Sequence, residues 1–279
     1  MVALETTLVA HGFPPGVGVE VGVAAEAVVR AEGALPATVG VLDGAVAVGL
    51  DGSQIERFGE AGAEARKAGP RDLAACAAQG SLGATTVGGT LAVCRRAGIR
   101  FLGTGGIGGV HRGFAQRPDV SADLAELART QALVVGSGAK SLLDVPATAE
   151  VLETLGVPVL GYRTDELPLF YAAAGGPPVS ARVDSPAEAA SVALAHWELG
   201  GNGLLLGNAP ENGVDVEPLL EEALRVAAAE NVTGQALTPF VLSFVHERSG
   251  GRTLEVNREL VVANAALAAR VAVAFSSGS

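Results

Sequence analysis

The sequence has 279 residues, of which 49% are hydrophobic and only 4% aromatic, and its formal net charge is −11. That balance argues against a general nucleic-acid binder, whose phosphate contacts need clustered Lys and Arg, but leaves room for one phosphorylated metabolite in a local basic pocket. Cys76 and Cys94 have neither CxxC spacing nor His partners at metal-site spacing, so reduced thiols are expected. No charged-then-apolar leader opens the sequence and no apolar run reaches roughly 18 residues, so we expect a soluble cytoplasmic protein with no membrane partner.

In chain order, Leu4 to Ala10 is expected as a first strand, broken by His11-Gly12 and Pro14-Pro15. Glu5 lies inside it, an awkward place for a carboxylate without work to do. Glu20 to Glu32 has helical apolar periodicity, with Gly33 as its stop. Ala37 to Leu42 and Ala45 to Val48 flank Asp43-Gly44, a hairpin signal. Ser53 to Glu56 has the form of a capping box, and Pro70 opens a helix through about Ala78. Gly83 to Val87 is expected as a turn before a helix to about Arg96.

The organising stretch runs from Gly103 to Lys140. A buried-strand pattern, Ile99 to Leu102, feeds a loop with glycines at 103, 105, 106, 108, 109 and 113. A second, Gln131 to Val135, ends in Gly136-Ser137-Gly138 with Lys140 just beyond. Strand ends that deliver glycine-bordered loops carrying charge are how open α/β sheets build ligand sites. Further on, helices are expected at Pro146 to Leu155 and from Asp184-Ser185-Pro186, and strands at Val157 to Tyr162 and Gly203 to Leu206. Leu167 to Val179 is Pro- and Gly-rich, a loop or flap. From Val216 three helical pieces are expected, interrupted near Thr233-Gly234 and Gly250-Gly251, the last from about Leu254 to Phe275. Strands alternating with helices without a break in composition predict one α/β domain over residues 1–279 with a mixed sheet.

Several residues have chemistry to offer. Lys140 follows small residues in an apolar setting; desolvation and a neighbouring cation lower a lysine pKa and yield an amine nucleophile. Lys67 is a candidate for that cation, and outward snorkelling of Lys140 is the bland alternative. Asp119 and Asp123 flank Val120-Ser121-Ala122 and either cap the helix beginning near Ser121 or hold a hydrated divalent ion and a hydroxyl. Arg112 and the surrounding glycines suit phosphate. His111 and His11 are equally loop residues or acid–base groups. Gly103-Thr104-Gly105-Gly106-Ile107-Gly108 fits GxGxxG, but no helix is expected directly after it and it lies outside the first βα unit.

Taken together, Ala3-Leu4-Glu5-Thr6-Thr7-Leu8, Gly83-Ala84-Thr85-Thr86-Val87, the segment from Gly103 to Gly113, Ser121-Ala122-Asp123-Leu124 and Gly138-Ala139-Lys140-Ser141 closely resemble the pseudouridine-5′-phosphate glycosidase family, which includes the indigoidine-cluster A proteins. The resemblance runs from about Val2 to Phe275. It implies a three-layer α/β/α sandwich with a central mixed sheet, a homotrimer, and a metal-dependent lyase-type glycosidase acting reversibly on pseudouridine 5′-phosphate to give uracil and ribose 5-phosphate. By the same resemblance Glu5 is the proton donor, Lys140 the Schiff-base nucleophile and Asp119 the ligand of one Mn2+ per subunit. Lys67, Val87, Ser121, Ala122 and Asp123 would contact substrate, with His111, Arg112 and Asn264 completing the set. Two departures stand out: the family's Glu-Ser-Thr is Glu5-Thr6-Thr7 here, and its Asn-Pro loop is Asn208-Ala209-Pro210-Glu211. The competing readings are a nucleotide-binding NAD-type oxidoreductase and a non-catalytic member of the family.

Overall fold

A computed structural model describes residues 1–116, 118–232 and 237–278. Its strands are β1 (Val2–Glu5), β2 (Pro36–Leu42), β3 (Ala45–Val48), β4 (Arg66–Ala68), β5 (Gly83–Thr85), β6 (Phe101–Gly103), β7 (Val110–His111), β8 (Leu133–Gly136), β9 (Leu143–Asp144), β10 (Val159–Tyr162), β11 (Ala181–Val183) and β12 (Leu204–Asn208). The helices are α1 (Thr7–His11), α2 (Val17–Ala31), α3 (Gly52–Ala61), α4 (Leu73–Ala78), α5 (Val87–Ala97), α6 (Ala122–Arg129), α7 (Val145–Thr154), α8 (Pro186–Glu198), α9 (Glu217–Ala229), α10 (Leu237–Arg248) and α11 (Arg252–Ser277).

Among the described residues ten strands form one sheet in the order β11-β10-β12-β8-β6-β1-β2-β5-β4, with β3 added as the hairpin partner of β2. From β11 to β2 every pairing is parallel. The direction reverses between β2 and β5, and β4 pairs parallel to β5. The sheet is therefore mixed. Successive side chains of its central strands go to opposite faces. Val2 and Leu4, Leu133 and Val135, and Leu204 and Leu206 pack with α2, α8 and α11. Ala3, Val134 and Leu205 pack with α5, α6 and α7. Helices on both faces of a largely parallel sheet make the three-layer α/β/α sandwich the resemblance implied.

Local chemistry explains where the elements differ from expectation. β1 stops at Glu5 and the apolar run after it turns helical as α1, so the single strand expected from Leu4 to Ala10 is two elements. The side chain that caps α3 is Asp51, which exchanges hydrogen bonds with Gln54, two residues earlier than the expected box. Gly83–Thr85 is a short strand, and β4 was not anticipated at all. Thr86 accepts from the Gly89 amide and caps α5, while Ser185 caps α8. α11 is long and apolar enough to cross a bilayer by length and composition, unlike the shorter apolar runs expected. Here it lies against the sheet with Ala265, Leu267, Ala268, Ala269 and Val271 wholly buried. Gly103 lets it approach: a Cβ there would meet the Ala265 Cα at 2.9 Å. The interruption expected at Thr233-Gly234 lies outside the described residues, and that at Gly250-Gly251 separates α10 from α11.

Candidate active site

The strands β8, β6 and β1 are neighbours, and their carboxyl ends carry Gly136, Gly103 and Glu5. From β1 the chain crosses to β2 on one side, whereas from β6 it crosses to β8 on the other. A crevice outside the carboxyl ends at such a reversal is the place where open α/β sheets bind ligands.

Glu5 is 6% exposed, and its Oε1 accepts a 2.5 Å hydrogen bond from the Thr104 hydroxyl, the first residue after β6. Burial pushes its carboxyl above the usual range; the Lys140 charge and the Thr104 bond pull against that rise, and Asp123 adds to it. A carboxyl at the edge of a ligand crevice is thus disposed to keep a proton.

Lys140 stands at the end of the loop after β8. Its N–H donates to the Ile107 carbonyl at 3.1 Å, and its carbonyl accepts from Leu143 at 2.9 Å, closing a turn. Gly138 has φ +78°, and a Cβ there would lie 1.9 Å from the Pro168 carbonyl oxygen, so only glycine suits the approach to Lys140. Phe170 also sits at positive φ, 63°, with its N–H on the Ser137 carbonyl at 2.8 Å and its ring against Gly105 and Gly106. The expected flap thus packs directly on both glycine loops.

Lys67 comes from the far edge of the sheet, on β4. Hydroxyls bring that edge in: Thr6 Oγ1 and Thr85 Oγ1 both donate to the Val39 carbonyl, at 2.8 and 2.7 Å, and Thr7 Oγ1 donates to the Ala84 carbonyl at 2.9 Å. Thr6 keeps the hydroxyl of the serine it replaces in the family pattern. Lys67 is exposed at the surface, yet the surrounding protein withdraws enough water to hold its amine below the usual lysine range, and the Lys140 charge lowers it further. Asp123, Glu5 and Asp119 oppose that shift. Lys67 and Lys140 are the only lysines in the sequence; every other basic residue among the 19 is an arginine. That scarcity is a signal sequence reading passed over. The charges of Lys140, Asp123 and Glu5 all act on Lys67, and neither amine has a carboxylate at ion-pair distance among the described residues.

Val87 and Ala122 open α5 and α6, and Asp123 is the second residue of α6. Ser121 caps α6 by accepting from the Asp123 amide at 3.2 Å, which settles that cap in favour of the serine over either aspartate. Asp123 is turned the other way: Oδ1 accepts from the Gly88 amide at 2.7 Å and Oδ2 from the Gly108 amide at 2.8 Å. Its carboxylate ties the start of α5 to the glycine loop. A Cβ on Gly108 would meet Ser121 Oγ at 2.3 Å, so this glycine serves close packing. Asp119 is exposed, and its carbonyl accepts from the His111 amide at 3.0 Å. As a hard oxygen donor it suits a manganese or magnesium ion. No cluster of three or more His, Cys, Asp and Glu able to hold a metal occurs among the described residues, so such an ion would take most ligands from water or substrate.

Two candidate residues already have protein partners. Arg112, expected to bind phosphate with the glycine amides, is engaged by Glu217: Nη1 donates to Oε1 at 2.5 Å and Nη2 to Oε2 at 2.9 Å. Asn264, expected to contact substrate, is wholly buried and donates to the carbonyls of Thr104 and Gly105 at 2.8 and 3.3 Å and to Ser137 Oγ at 3.1 Å. Its Oδ1 accepts from Asn208 at 2.9 Å, so α11 pins the loops after β6, β8 and β12 together. Thr104, Ser137 and Asn208 are contributors that sequence reading did not single out as site residues. His111 lies on β7, half-buried, and His11 Nε2 lies 2.9 Å from the Ala65 carbonyl oxygen, two residues before Lys67. The GxGxxG match is not a dinucleotide turn: β7 follows it, and the next helix starts only at Ala122.

Comparison with known proteins bears on family and fold. The family described as indigoidine synthase A like protein matches residues 1–274. A pseudouridine-5′-phosphate glycosidase of Sorangium cellulosum is 47% identical over 281 residues, covering 99% of this chain and 89% of that protein. The Thermus thermophilus pseudouridine-5′-phosphate glycosidase is 48% identical over 278 residues, covering 99% and 97%. Among solved structures, the prealnumycin C-glycosynthase AlnA in complex with ribulose 5-phosphate superposes with a TM-score of 0.90 at 40% identity, covering 100% of this chain and 92% of that one. An indigoidine synthase A-like protein from Thermotoga maritima gives 0.89 at 36% identity, covering 98% and 91%. With motifs, fold and relatives in agreement along its length, the chain belongs to the indigoidine synthase A-like family that includes the pseudouridine-5′-phosphate glycosidases.

Proposed function

We propose that the protein is a pseudouridine-5′-phosphate glycosidase that reversibly cleaves the bond between ribose C1′ and uracil C5, with Lys140 as covalent nucleophile and Glu5 as proton donor. The observation that carries this reading is that the charges of both lysines in the sequence act on Glu5, a buried carboxyl pushed above its usual range, at the crevice between β1 and β6.

The bond to be broken explains why an amine is needed. An ordinary glycosidase protonates a leaving oxygen and supports an oxocarbenium ion with a second carboxylate. Here the leaving atom is carbon. Attack of the Lys140 amine on C1′ breaks the C1′–O4′ bond; O4′ leaves as a hydroxyl by taking a proton that the attacking nitrogen gives up, which returns the lone pair to nitrogen. The nitrogen lone pair then expels uracil: the C1′–C5 bond breaks, Glu5 protonates C5, and an iminium remains on Lys140. Water adds to the iminium and releases ribose 5-phosphate, restoring the amine. Lys67, which has no ion pair among the described residues, is assigned to the 5′-phosphate, with the amide-bearing starts of α5 and α6, at Val87 and Ser121 to Asp123, completing the substrate cradle. Asp119 would hold a hydrated Mn2+, which supplies positive charge to substrate oxygen when bound.

Incubation with pseudouridine 5′-phosphate and Mn2+ should release uracil, followed by chromatography. Folded protein that releases none overturns the reading.

A further inference from the structure

We propose that Arg112, held by Glu217, is a positioning residue for the Lys140 turn and not a ligand for the phosphate of the substrate. The proposal rests on Lys140 being the nucleophile.

Arginine has five N–H donors in a fixed fork and no acceptor. The Arg112 fork is bidentate on Glu217, and its remaining contacts are carbonyls: Nη2 donates to Ser141 at 3.2 Å and Nε to Leu143 at 3.4 Å. All three nitrogens are therefore engaged, and the charge is already balanced by a carboxylate. Binding a phosphate would mean breaking that pair. Glu217 is itself fixed, since it begins α9 and its amide donates to Asp215 Oδ1 at 3.0 Å.

The two carbonyls that Arg112 grips belong to the turn that carries the nucleophile. Leu143 closes the turn on the Lys140 carbonyl. On one side, the Lys140 amide is tied to Ile107, and the Ile107 amide donates to Gly138 at 3.0 Å. On the other side, β7 and β9 pair antiparallel, His111 opposite Leu143, which sets Arg112 at the end of this ribbon. Ser141 Oγ adds a bond to the Leu169 carbonyl at 3.2 Å. Arg112 is thus the side chain that joins this turn to the helical C-terminal part of the chain. An amine that must reach C1′ with its lone pair aligned is sensitive to such support, since a misplacement of about 1 Å can cost on the order of 100-fold in rate.

The test compares Arg112→Ala, Arg112→Lys and Glu217→Gln with wild type. Two quantities are read: kcat and KM for pseudouridine 5′-phosphate and for pseudouridine, and the rate at which borohydride traps ribose 5-phosphate on Lys140. The proposal expects kcat and trapping to fall about 10- to 100-fold in Arg112→Ala. It expects the same factor for nucleotide and nucleoside, little change in KM, and partial rescue in Arg112→Lys. Glu217→Gln, a conservative change at a half-exposed side chain, should move the same quantities in the same direction by less; it carries the test if Arg112→Ala does not fold. A loss confined to KM for the nucleotide would make Arg112 a phosphate ligand and overturn the proposal, as would unchanged kinetics in all three variants. Wild type that turns over without an adduct on Lys140 would instead remove the nucleophile assignment beneath it.

Discussion

The end of β1 and the start of α6 each bury a carboxylate, and both Glu5 and Asp123 are 6% exposed. Their surroundings differ. Glu5 receives one hydroxyl donor, from Thr104, while Asp123 receives two backbone amides, from Gly88 and Gly108. A carboxylate given amide donors has its charge stabilised, whereas one that is mainly desolvated favours the neutral form. Equal burial therefore yields two devices: a carboxyl whose charged form burial disfavours at the strand end, and a hydrogen-bonded tie between a helix start and a glycine loop. The same contrast separates the arginines from the lysines. Arg112 is engaged by Glu217, whereas neither lysine has an ion-pair partner among the described residues.

The contrast is broken most severely at Glu5. Glu5→Gln keeps shape and removes the transferable proton, so turnover should drop about 10²- to 10⁴-fold. The variant should still form the adduct with ribose 5-phosphate, because that half of the cycle does not need uracil C5 protonated. An unchanged kcat would remove Glu5 as the acid. Its raised pKa also fixes the sign of the pH dependence. The acid form works below the raised value, so the rate of uracil expulsion should fall as pH rises through it. The neutral form likewise stabilises the fold fully below the ordinary value of 4.5, and that stability is lost as pH climbs through the raised one. In thermal melts, wild type should lose stability relative to Glu5→Gln as pH rises through the raised value, and a relative gain over that range would contradict the sign.

At Asp123 the expected damage is structural before it is catalytic. Asp123→Asn turns an amide NH2 toward one of the two glycine amides, and leaving a buried donor unsatisfied costs about 1–3 kcal/mol. Urea denaturation reads this directly, and a variant as stable as wild type would mean that the tie is dispensable. Lys67→Met should raise KM for the nucleotide roughly tenfold, the loss of about one charge-assisted hydrogen bond, and leave the nucleoside little affected. An equal effect on both would move Lys67 from the phosphate to the base or sugar. The smallest effect is expected at exposed Asp119: Asp119→Asn should weaken Mn2+ binding by calorimetry with little change in melting temperature. Unchanged affinity would leave Asp119 as a loop residue only.

How much of this was readable from sequence depends on how local each signal is. The glycine-bordered loops after β6 and β8 are local, and so are Glu5 inside a strand pattern and the helix start near Ser121. The α/β alternation follows from composition and periodicity. What stayed hidden is carried by long-range pairing. β4 and β5 are three residues each, too short for alternation to show, so nothing in the sequence places Lys67 beside Lys140. The partner of Arg112 is Glu217, 105 residues away, and Asn264 reaches Thr104 across 160. Several glycines of the central loop looked like amide donors for a ligand. Contacts such as Gly108 on Ser121 and Gly106 on Phe170 give them a steric reason that only the packed structure supplies. The end of β1 was overrun because Leu8, Val9 and Ala10 are as apolar in α1 as in a strand.

The central claim is that Lys140 is the nucleophile, and the chain is well suited to asking it, since Lys67 is the other lysine in the sequence. Borohydride added during incubation with ribose 5-phosphate should fix one sugar phosphate to the protein, and peptide mass spectrometry should place it on the peptide containing Lys140. Lys140→Ala should lose both the adduct and turnover, and so should Lys140→Arg, because a guanidinium stays protonated. An adduct on Lys67 would exchange the two amines. Full activity of Lys140→Ala with no adduct on any residue would contradict the covalent account.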